Sequence, residues 1–258
     1  MFFRVLRRCF YSGTSTTLST SAIIVLSYNI SLNMIEVVWK DQLHHQFPNP
    51  TDLNAFNGKV IWWIGALSTL LSLAVTGPVT RRFGWTVSAL VTPVILLITG
   101  ALFFFCHYFR ETSFLNHLAL ILGTTPLMLI VLIGSAQNVF SRACKFTFFD
   151  TTKEIAFIPL SPESKLKGKA AIDGVGSRLG KSGSGLIHQS LIITLGSVSM
   201  STPVVGAFLG LFFMGWLAAV KSLGKQFDEL SQSPVEADTA VATPASTETK
   251  PAETLVQV

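Results

Sequence analysis

The stretch KGKAAIDGVGSRLGKSGSGLIHQ, residues 167–189, combines cations, small residues and aliphatic residues and leads directly into a long uncharged run. At about 100° per residue, its polar members fall on one side of a helix and its aliphatic members on the other. The polar side holds Lys167, Gly174, Arg178, Lys181, Ser182, His188 and Gln189, and the apolar side holds Ile172, Val175, Leu179, Leu186 and Ile187. The stretch therefore predicts an amphipathic helix with a basic face.

The uncharged run from Ser182 to Val220 sets the depth of this helix in a membrane. The run must hold two spans with a turn near Gly196 to Pro203, because one span needs about 20 residues. The first span then begins upstream of Lys181, which places Arg178 and Lys181 at membrane depth. A charge at that depth is costly unless it faces a wet cavity or a partner. These two cations, with Lys167 on the same basic face, are candidate ligand-binding residues.

A phosphate-binding loop is the alternative interpretation, because Gly180, Lys181 and Ser182 match the end of the pattern GxxxxGK[ST]. The first glycine of that pattern would stand at position 175, which is Val175, and no strand is predicted before the stretch. The spacing therefore argues against such a loop. The small residues at 176, 180 and 184 suit close helix packing in a membrane instead.

Composition places the whole chain in a bilayer. Its 258 residues are 49% hydrophobic and 13% charged, whereas about a quarter of the residues are charged in soluble domains. The net charge of +5 is interpreted by its position relative to the spans and does not predict a nucleic-acid partner. The three Cys and five His lack ligand spacing, so we expect no disulfide framework, metal site or cofactor.

The apolar runs predict an all-α membrane protein with six transmembrane helices. The predicted spans are residues 18–38, 60–79, 86–109, 118–137, 170–195 and 203–220, within a membrane domain of residues 18–227. Residues 1–17 are basic and read as a cytoplasmic flank or as an organelle transit peptide, the flank being preferred. Residues 228–258 lack apolar periodicity and are predicted to be disordered.

The distribution of cations predicts the orientation of these spans. One side of the membrane receives Lys40, Lys59 and Arg110, and every other cation that flanks a span falls on the opposite side. Because cytoplasmic loops carry the excess of Lys and Arg, both termini are expected in the cytoplasm.

The first predicted span carries a narrow polar stripe of Asn29, Asn33, Glu36 and Lys40, spaced four, three and four residues apart. A carboxylate within a membrane helix indicates function by default. In the alternative interpretation Glu36 lies in the interface and pairs with Lys40 one turn on, which stabilises a helix by only about 0.2–0.5 kcal/mol. The two Asn extend the polar face deeper than such a pair needs, which favours the functional interpretation.

A second polar face follows the fourth predicted span. Arg142, Lys145, Phe149 and Lys153 share one side of a helix, so this helix is expected to continue beyond the bilayer until Pro159 and Pro162 end it. For most of the cations between residues 138 and 169 we prefer the interpretation of a solvated face that obeys the positive-inside rule. These cations are Arg142, Lys145, Lys153, Lys165, Lys167 and Lys169.

Several blocks of the sequence, in order, resemble the ATP/ADP translocases, or nucleotide transporters, of obligate intracellular bacteria and plastids. The blocks are SLNMIEVVWK (31–40), NAFNGK (54–59), RRFGW (81–85), LVTPV (90–94), GTTPL (123–127), FDTTKEIAFIPL (149–160), KGKAAIDGVGSRLGKSGSGLI (167–187) and AAVKSLGKQF (218–227). They are similar to the carboxy-terminal half of a twelve-span protein that resembles the major facilitator fold. Ser184 and His188 depart from the family pattern, which has Gly and Gln there.

The resemblance implies exchange of ADP for ATP without hydrolysis, or proton-coupled uptake of nucleotides in some relatives, with NAD as a further alternative cargo. The chain would then be a transporter and no enzyme, most simply in a bacterial inner membrane and otherwise in a plastid inner envelope. The family's functional charges fall on the acid of the EVxWK motif and the lysine of the GKSG motif, here Glu36 and Lys181.

Transporters of this kind bind their substrate between two repeats, so six spans supply half a site. Three explanations stay open: a fragment, a split transporter with a separate amino-terminal half, or a pair of identical chains. For nucleotide exchange, Arg178 and Lys181 would bind phosphates, and Glu36, flanked by Asn29 and Asn33, would act in coupling or as a counter-charge. For the alternative, a membrane scaffold or assembly subunit without transport, Glu36 and Lys181 are predicted to pair with each other.

Overall fold

The computed structural model describes residues 13–158 and 162–232, and all regular structure in these residues is helical. Three π-helical segments continue α-helices without a break: π1 (Ser72–Thr76), π2 (Lys145–Phe149) and π3 (Ala170–Gly176). The α-helices are α1 (Gly13–Gln46), α2 (Pro50–Leu71), α3 (Gly77–Tyr108), α4 (Ser113–Ile121), α5 (Pro126–Cys144), α6 (Asp150–Ala156), α7 (Pro162–Lys169), α8 (Ser177–Leu195) and α9 (Val198–Gln232). The predicted all-α class is confirmed for this part of the chain.

Polar caps fix helix starts that hydropathy alone misplaces. The side chain of Asn49 accepts a hydrogen bond from the Thr51 amide at 3.0 Å, directly before Pro50 at the start of α2. Thr125 accepts one from the Met128 amide at 3.1 Å, so α5 begins at Pro126. Both caps satisfy an amide that the first helical turn leaves free. The predicted span 118–137 is consequently divided between α4 and α5.

Four helical stretches are long and apolar enough to cross a membrane, by length and composition: Leu18–Gln46, Pro50–Tyr108, Pro126–Ala156 and Met200–Lys225. The second has 59 residues and contains two of the predicted spans. Gly84 interrupts it with a φ of 80°, a left-handed conformation that glycine adopts without steric cost. The helix α8 is not among the four, because small and polar residues fill its first half.

Contacts along α1 give the direction of its neighbours. Earlier residues of α1 lie against earlier residues of α7 and α8, so these helices run parallel to α1. The opposite order holds for the continuous helix α5–π2–α6 and for α9, which run antiparallel to it. For α9 the order follows because Ser21 and Ile24 line a small opening with Val220 and Leu223, while the later Tyr28 contacts the earlier Trp216. The parallel contacts join Leu18 to Gly168, Asn29 to Gly180 and Met34 to His188; the antiparallel ones join Trp39 to Ser135, Glu36 to Arg142, and Tyr28 to Phe149 and Trp216.

The helices α2 and α3 run in opposite directions beside α5. The indole N–H of Trp85 donates to the Thr152 carbonyl at 2.8 Å, and Phe103 lies against Gly134, so the part of α3 after Gly84 is antiparallel to α5 and α6. The segment π1 contacts π2, which makes α2 parallel to α5. Chain direction therefore alternates through the bundle, and the two ends of the described chain lie at the same end of it.

The central position belongs to α1, which packs against α5, α8 and α9, while α5 also packs against α2 and α3. Aromatic rings join these helices: Tyr28 contacts Phe149 at 4.7 Å and Trp216 at 5.8 Å between ring centroids. Large apolar side chains remain exposed on the outside, among them Trp62, Leu73, Leu120, Ile193 and Leu211. An apolar exterior of this extent suits contact with lipid.

The structure moves two predicted boundaries. The turn expected between Gly196 and Pro203 contains only residues 196 and 197, since Gly196 ends α8 with a φ of 84° and Pro203 lies inside α9. Residues 228–232, predicted to be disordered, form the end of α9. Residues 1–12 and 233–258, which hold most of the predicted flank and tail, lie outside the described residues.

Replacing Gly134 by Ala is expected to destabilise the bundle. A Cβ there would lie 2.7 Å from a ring carbon of Phe103 and against the indole of Trp39, and both side chains are buried. Overpacking of this kind typically costs about 1–3 kcal/mol. Thermal unfolding in detergent should show a lower Tm, whereas Gly206→Ala, with no atom within 4 Å of the new Cβ, should leave it unchanged or higher. Equal Tm values for both variants would contradict the close contact at Gly134.

Candidate functional site

A charged cavity of about 660 Å³ lies between α1, the continuous helix α5–π2–α6, and π3–α8. Its volume falls within the range of about 300–1,000 Å³ usual for small-molecule sites. Cations and acids line it in equal number: Arg142, Lys145, Lys153 and Lys181, with Glu36, Asp150, Glu154 and Asp173. The arrangement suits a ligand that carries several charges.

The polar stripe of α1 faces this cavity, with Asn29, Asn33 and Glu36 among the lining residues. The Asn29 amide donates to the Val25 carbonyl at 2.8 Å, and the Asn33 amide donates to the Asn29 carbonyl at 2.6 Å. Their N–H groups are therefore bonded within α1 itself, which allows these residues to lie at membrane depth. The three stripe residues that sequence reasoning selected come together in one site.

The carboxylate of Glu36 binds two cations. One oxygen lies 2.9 Å from the Lys40 ammonium, and the other accepts a hydrogen bond from the Arg142 guanidinium at 2.7 Å. A second N–H of Arg142 donates to Asn138 at 2.8 Å. The predicted pairing of Glu36 with Lys181 is wrong, because both carboxylate oxygens already have these partners. The interfacial pair with Lys40 exists, and it lies at the edge of the cavity.

Two more cations on the α5–π2–α6 helix are paired with acids. Lys153 lies 2.7 Å from Asp173 on π3 and 4.0 Å from Asp150, and Lys145 lies 3.1 Å from Asp150. The Lys153 side chain is only 15% exposed. The helix continues to Ala156 as expected, and the side of it that carries Arg142, Lys145 and Lys153 faces the cavity. The interpretation as a solvated face therefore does not describe these three cations.

One ion pair joins α6 to the end of α7. The ammonium of Lys169 lies 2.7 Å from a carboxylate oxygen of Glu154, and both side chains are 45% exposed. The hydrogen bond to Glu154 raises the pKa of Lys169 above its ordinary value. Surface pairs of this type contribute little to stability, because water and salt screen their charges.

The three basic candidates from the opening stretch are placed differently. Lys181 lines the cavity, is exposed, and has no ion pair among the residues that the structure describes. Arg178 is exposed and is not among the lining residues. The Lys167 side chain lies outside the described part of the structure. Geometry thus supports Lys181 as a site residue and gives no such support to the other two.

The packed face of π3 and α8 contains the small residues at 176, 180 and 184 that the sequence predicts for close helix packing. A stripe at every fourth residue is buried: Ile172, Gly176, Gly180, Ser184 and His188. A Cβ at position 180 would come within 2.6 Å of the Asn29 Cβ, which shows how closely the two helices approach. Small residues permit this approach, as predicted for membrane packing.

Burial matches the predicted polar and apolar sides only in part. Ile172 of the apolar side is buried, but Val175, Leu179 and Leu186 of that side are exposed, and His188 of the polar side is buried. A ring nitrogen of His188 lies 3.0 Å from the Met34 carbonyl on α1. Because small residues make the contact, the large aliphatic side chains of this helix remain outside.

Tyr28 is among the residues that line the cavity, but its hydroxyl is buried. This hydroxyl has no hydrogen-bond partner within residues 13–158 and 162–232. Buried polar groups are usually bonded, so this hydroxyl is an exception among the described residues near the cavity.

A second opening, of about 640 Å³, lies between α2 and α5. Apart from Lys59 and Ser135 its lining is apolar, with Phe56, Trp63 and Leu132 prominent. It lacks the charges that a polyanionic ligand requires. Where the chain is described, no three His, Cys, Asp or Glu side chains are grouped to hold a metal ion.

Sequence reasoning selected Glu36 but missed the other three acids of the cavity, Asp150, Glu154 and Asp173. Asp173, Ser177 and Lys181 follow each other at four-residue spacing and line the same wall. That spacing is visible in the sequence, and it could have identified Asp173 as a site residue. Asp150 and Glu154 gave no comparable signal, because their direction depends on the π2 segment before them.

The comparison with known proteins identifies the family. The family model described as TLC ATP/ADP transporter matches residues 6–227. The chain belongs to this family. The resemblance inferred from the sequence blocks is thereby confirmed. No solved structure matches the chain at a significant level.

Carrier proteins of Chlamydia and of a plant are similar to most of this chain. "ADP,ATP carrier protein 1" of Chlamydia muridarum is 45% identical over 239 residues, covering 90% of the chain and 45% of the relative. The protein of the same name in Chlamydia trachomatis is 48% identical over 206 residues, covering 80% and 39%. "ADP,ATP carrier protein 2, chloroplastic" of Arabidopsis thaliana is 44% identical over 209 residues, covering 81% and 33%. The chain spans less than half the length of these relatives.

Replacing Arg142 by Ala is expected to lower stability more than replacing Lys40 by Ala. Glu36 is 15% exposed, and loss of Arg142 leaves one of its oxygens without a partner, at a cost of about 1–3 kcal/mol. The Lys40 side chain is 53% exposed, and such pairs are worth about 0–1 kcal/mol. Thermal unfolding of both variants in detergent measures the difference. A loss for Lys40→Ala as large as that for Arg142→Ala would show that the two contacts are equivalent.

Proposed function

We propose that the chain takes part in ATP:ADP exchange across a membrane and that the charged cavity forms one wall of the nucleotide site. The cavity that combines Lys181 with Arg142, Lys145 and Lys153 carries this proposal. The names of the relatives, ADP,ATP carrier proteins, support the same cargo. ATP and ADP are cargo in this proposal and are not hydrolysed.

The charges of the cavity fit a polyphosphate. ATP has about four negative charges near neutral pH, so several cations must face it. Lys181 can donate to a phosphate directly, since no acid is paired with it among the described residues. Charge-assisted hydrogen bonds of this type are stronger than neutral ones and are strengthened where water is scarce.

In the proposed topology the chain crosses the membrane six times, with both termini in the cytoplasm. Alternating chain direction, the left-handed turn at Gly84 and the alignment of α8 beside α1 support six crossings. Arg81, Arg82 and Lys221 lie toward the same end of the bundle as Gly84 and Thr86, as the positive-inside rule requires. The membrane proposed is a bacterial inner membrane.

A second helical unit is proposed to complete the site. The exposed position of Lys181 and of the aliphatic side chains of α8 supports such a partner. The unit would be an amino-terminal half-transporter, as in a major-facilitator-like pair, or a second copy of the chain. Rocking of two such units about a site between them would give alternating access.

Cysteine labelling tests the topology. Single cysteines placed at Gly13, in the segment around Gly84 and at Lys225 should react with a membrane-impermeant reagent from one side, and cysteines at Asn49 and Gly196 from the other. Membrane vesicles of both orientations provide the readout. The native Cys9, Cys106 and Cys144 are replaced by Ser in every variant. Labelling of the two chain ends from opposite sides would exclude six spans.

Nucleotide binding tests the proposed site. ADP at 100 times its Kd should stabilise the purified protein by about 2.7 kcal/mol, because a ligand that binds only the folded state adds its binding free energy to stability. Lys181→Gln should abolish the rise in Tm while leaving membrane insertion intact. Lys221→Gln, which changes an exposed lysine of α9 that does not line the cavity, is the matched control. An unchanged ADP effect in Lys181→Gln would remove this residue from the site.

Exchange is measured in vesicles that contain the protein and internal ADP. External labelled ATP should enter loaded vesicles and not empty ones, without release of inorganic phosphate. Entry into empty vesicles driven by a proton gradient would indicate proton-coupled import, and stimulation by internal NAD alone would indicate an NAD carrier. Folded protein that binds no nucleotide and moves none, even with an amino-terminal half supplied, would favour a scaffold role. Exchange by the chain alone would exclude a need for a different partner.

A further inference from the structure

Lys153 and Asp173 face each other across the charged cavity. The ammonium of Lys153, on α6, lies 2.7 Å from a carboxylate oxygen of Asp173, on π3. Their side chains are 15% and 33% exposed. The pair therefore joins two walls of the cavity at a position partly shielded from solvent. It is absent from the set of residues that the sequence or the family resemblance indicated.

Lys153 is chemically suited to hold a phosphate. A shielded ammonium is unfavourable without a counter-ion, and Asp173 supplies that counter-ion directly, while Asp150 adds a more distant carboxylate at 4.0 Å. A phosphate group carries up to two charges and three acceptor oxygens, so it competes well with a single carboxylate for the same ammonium.

The Lys153–Asp173 pair lies where it could contact the same ligand as Lys181. Asp173, Ser177 and Lys181 lie on consecutive turns of one wall of the cavity. Because Asp173 binds the Lys153 ammonium, this ammonium and Lys181 lie at the same wall, two turns apart. The two sites are about 12 Å apart along the helix axis, measured from residue 173 to residue 181. Long lysine side chains shorten this separation, which lets both ammonium groups approach one extended polyphosphate.

We propose that Lys153 is a further phosphate-binding residue and that Asp173 is the counter-ion that a nucleotide phosphate displaces from it. The inference rests on the proposed nucleotide site. Displacement breaks the ion pair between α6 and π3, so the loaded cavity loses a connection that the unloaded cavity has. Asp173 lies within π3, and Lys153 lies about one turn after the end of π2. Segments of π-helix are often found at functional sites.

The test compares ADP binding by full-length wild-type protein, Lys153→Gln and Asp173→Asn, using calorimetry in detergent. Lys153→Gln should weaken binding about tenfold or more, because one charge-assisted contact to phosphate is lost. Asp173→Asn should strengthen binding several-fold, because the phosphate no longer has to displace a carboxylate. Asp150 remains near Lys153 in that variant and compensates part of its charge. Opposite signs for the two variants are the decisive outcome.

Two controls change the same charges elsewhere. Lys59→Gln alters a lysine of the apolar opening, and Glu111→Gln removes an acid whose side chain is 86% exposed and which pairs with Arg110 at 3.5 Å. Neither should change ADP affinity. Thermal unfolding without ADP verifies that all four variants are folded, and a charge-reversed double variant, Lys153→Asp with Asp173→Lys, restores the ion pair if single variants unfold. That double variant should regain stability while binding ADP as weakly as Lys153→Gln.

The outcomes separate this inference from the proposed function. Wild-type protein that binds ADP, with both single variants weakened alike or both unchanged, would show that the pair is only structural and would overturn the inference alone. A double variant that is stable and binds ADP like wild type would do the same. Folded wild-type protein that binds neither ADP nor ATP, even with an amino-terminal half-transporter supplied, would overturn the proposed function, and this inference with it.

Discussion

The carboxylate of Glu36 holds the central helix in register with α5, since its two oxygens bind different cations, Lys40 on α1 and Arg142 on α5. If the two helices slid past each other, the largely shielded carboxylate would lose a partner but would stay desolvated. The free energy of the folded state would therefore rise. This register sets the rest of the contact: Trp39 reaches Ser135 on one side of the pair, and Tyr28 reaches Phe149 on the other. The polar stripe and the aromatic core are thereby aligned along the same pair of helices.

The π2 segment determines which side chains of the α5–π2–α6 helix face the cavity. A π turn includes one residue more than an α turn, so the residues that follow it are rotated relative to an unbroken α-helix. Arg142 precedes this segment, Lys145 begins it, and Asp150 and Lys153 follow it. All four line the cavity although they span three consecutive elements. The π3 segment has a comparable position before α8, with Asp173 inside it.

Charge balance explains how so polar a cavity exists inside an apolar bundle. Glu36, Asp150 and Asp173 each pair with a cation of the α5–π2–α6 helix, which limits the desolvation cost of every partner. Lys181 has no such acid among the described residues and is exposed on the wall formed by α8. The helix α8 meets α1 through small residues and leaves Leu179 and Leu186 outside. The side of α8 that faces the cavity can therefore bind an anionic ligand, and its apolar exterior can bind a hydrophobic neighbour.

The sequence by itself determined the class of the protein, the polar stripe at Asn29, Asn33 and Glu36, the small-residue packing at Gly180 and the site position of Lys181. These features follow from composition, four-residue spacing and motif, all of which are local properties of the chain. Tertiary structure alone decided that Arg142, and not Lys181, pairs with Glu36. It also decided that Lys153 pairs with Asp173, which lies 20 residues later in the sequence, and that the side chains of Val175 and Leu179 are exposed on the exterior of the bundle. The reason is physical. Helical periodicity specifies the faces of each helix, but a π segment rotates the residues that follow it, and close packing of small residues selects which face is buried. Neither effect can be calculated from one helix alone.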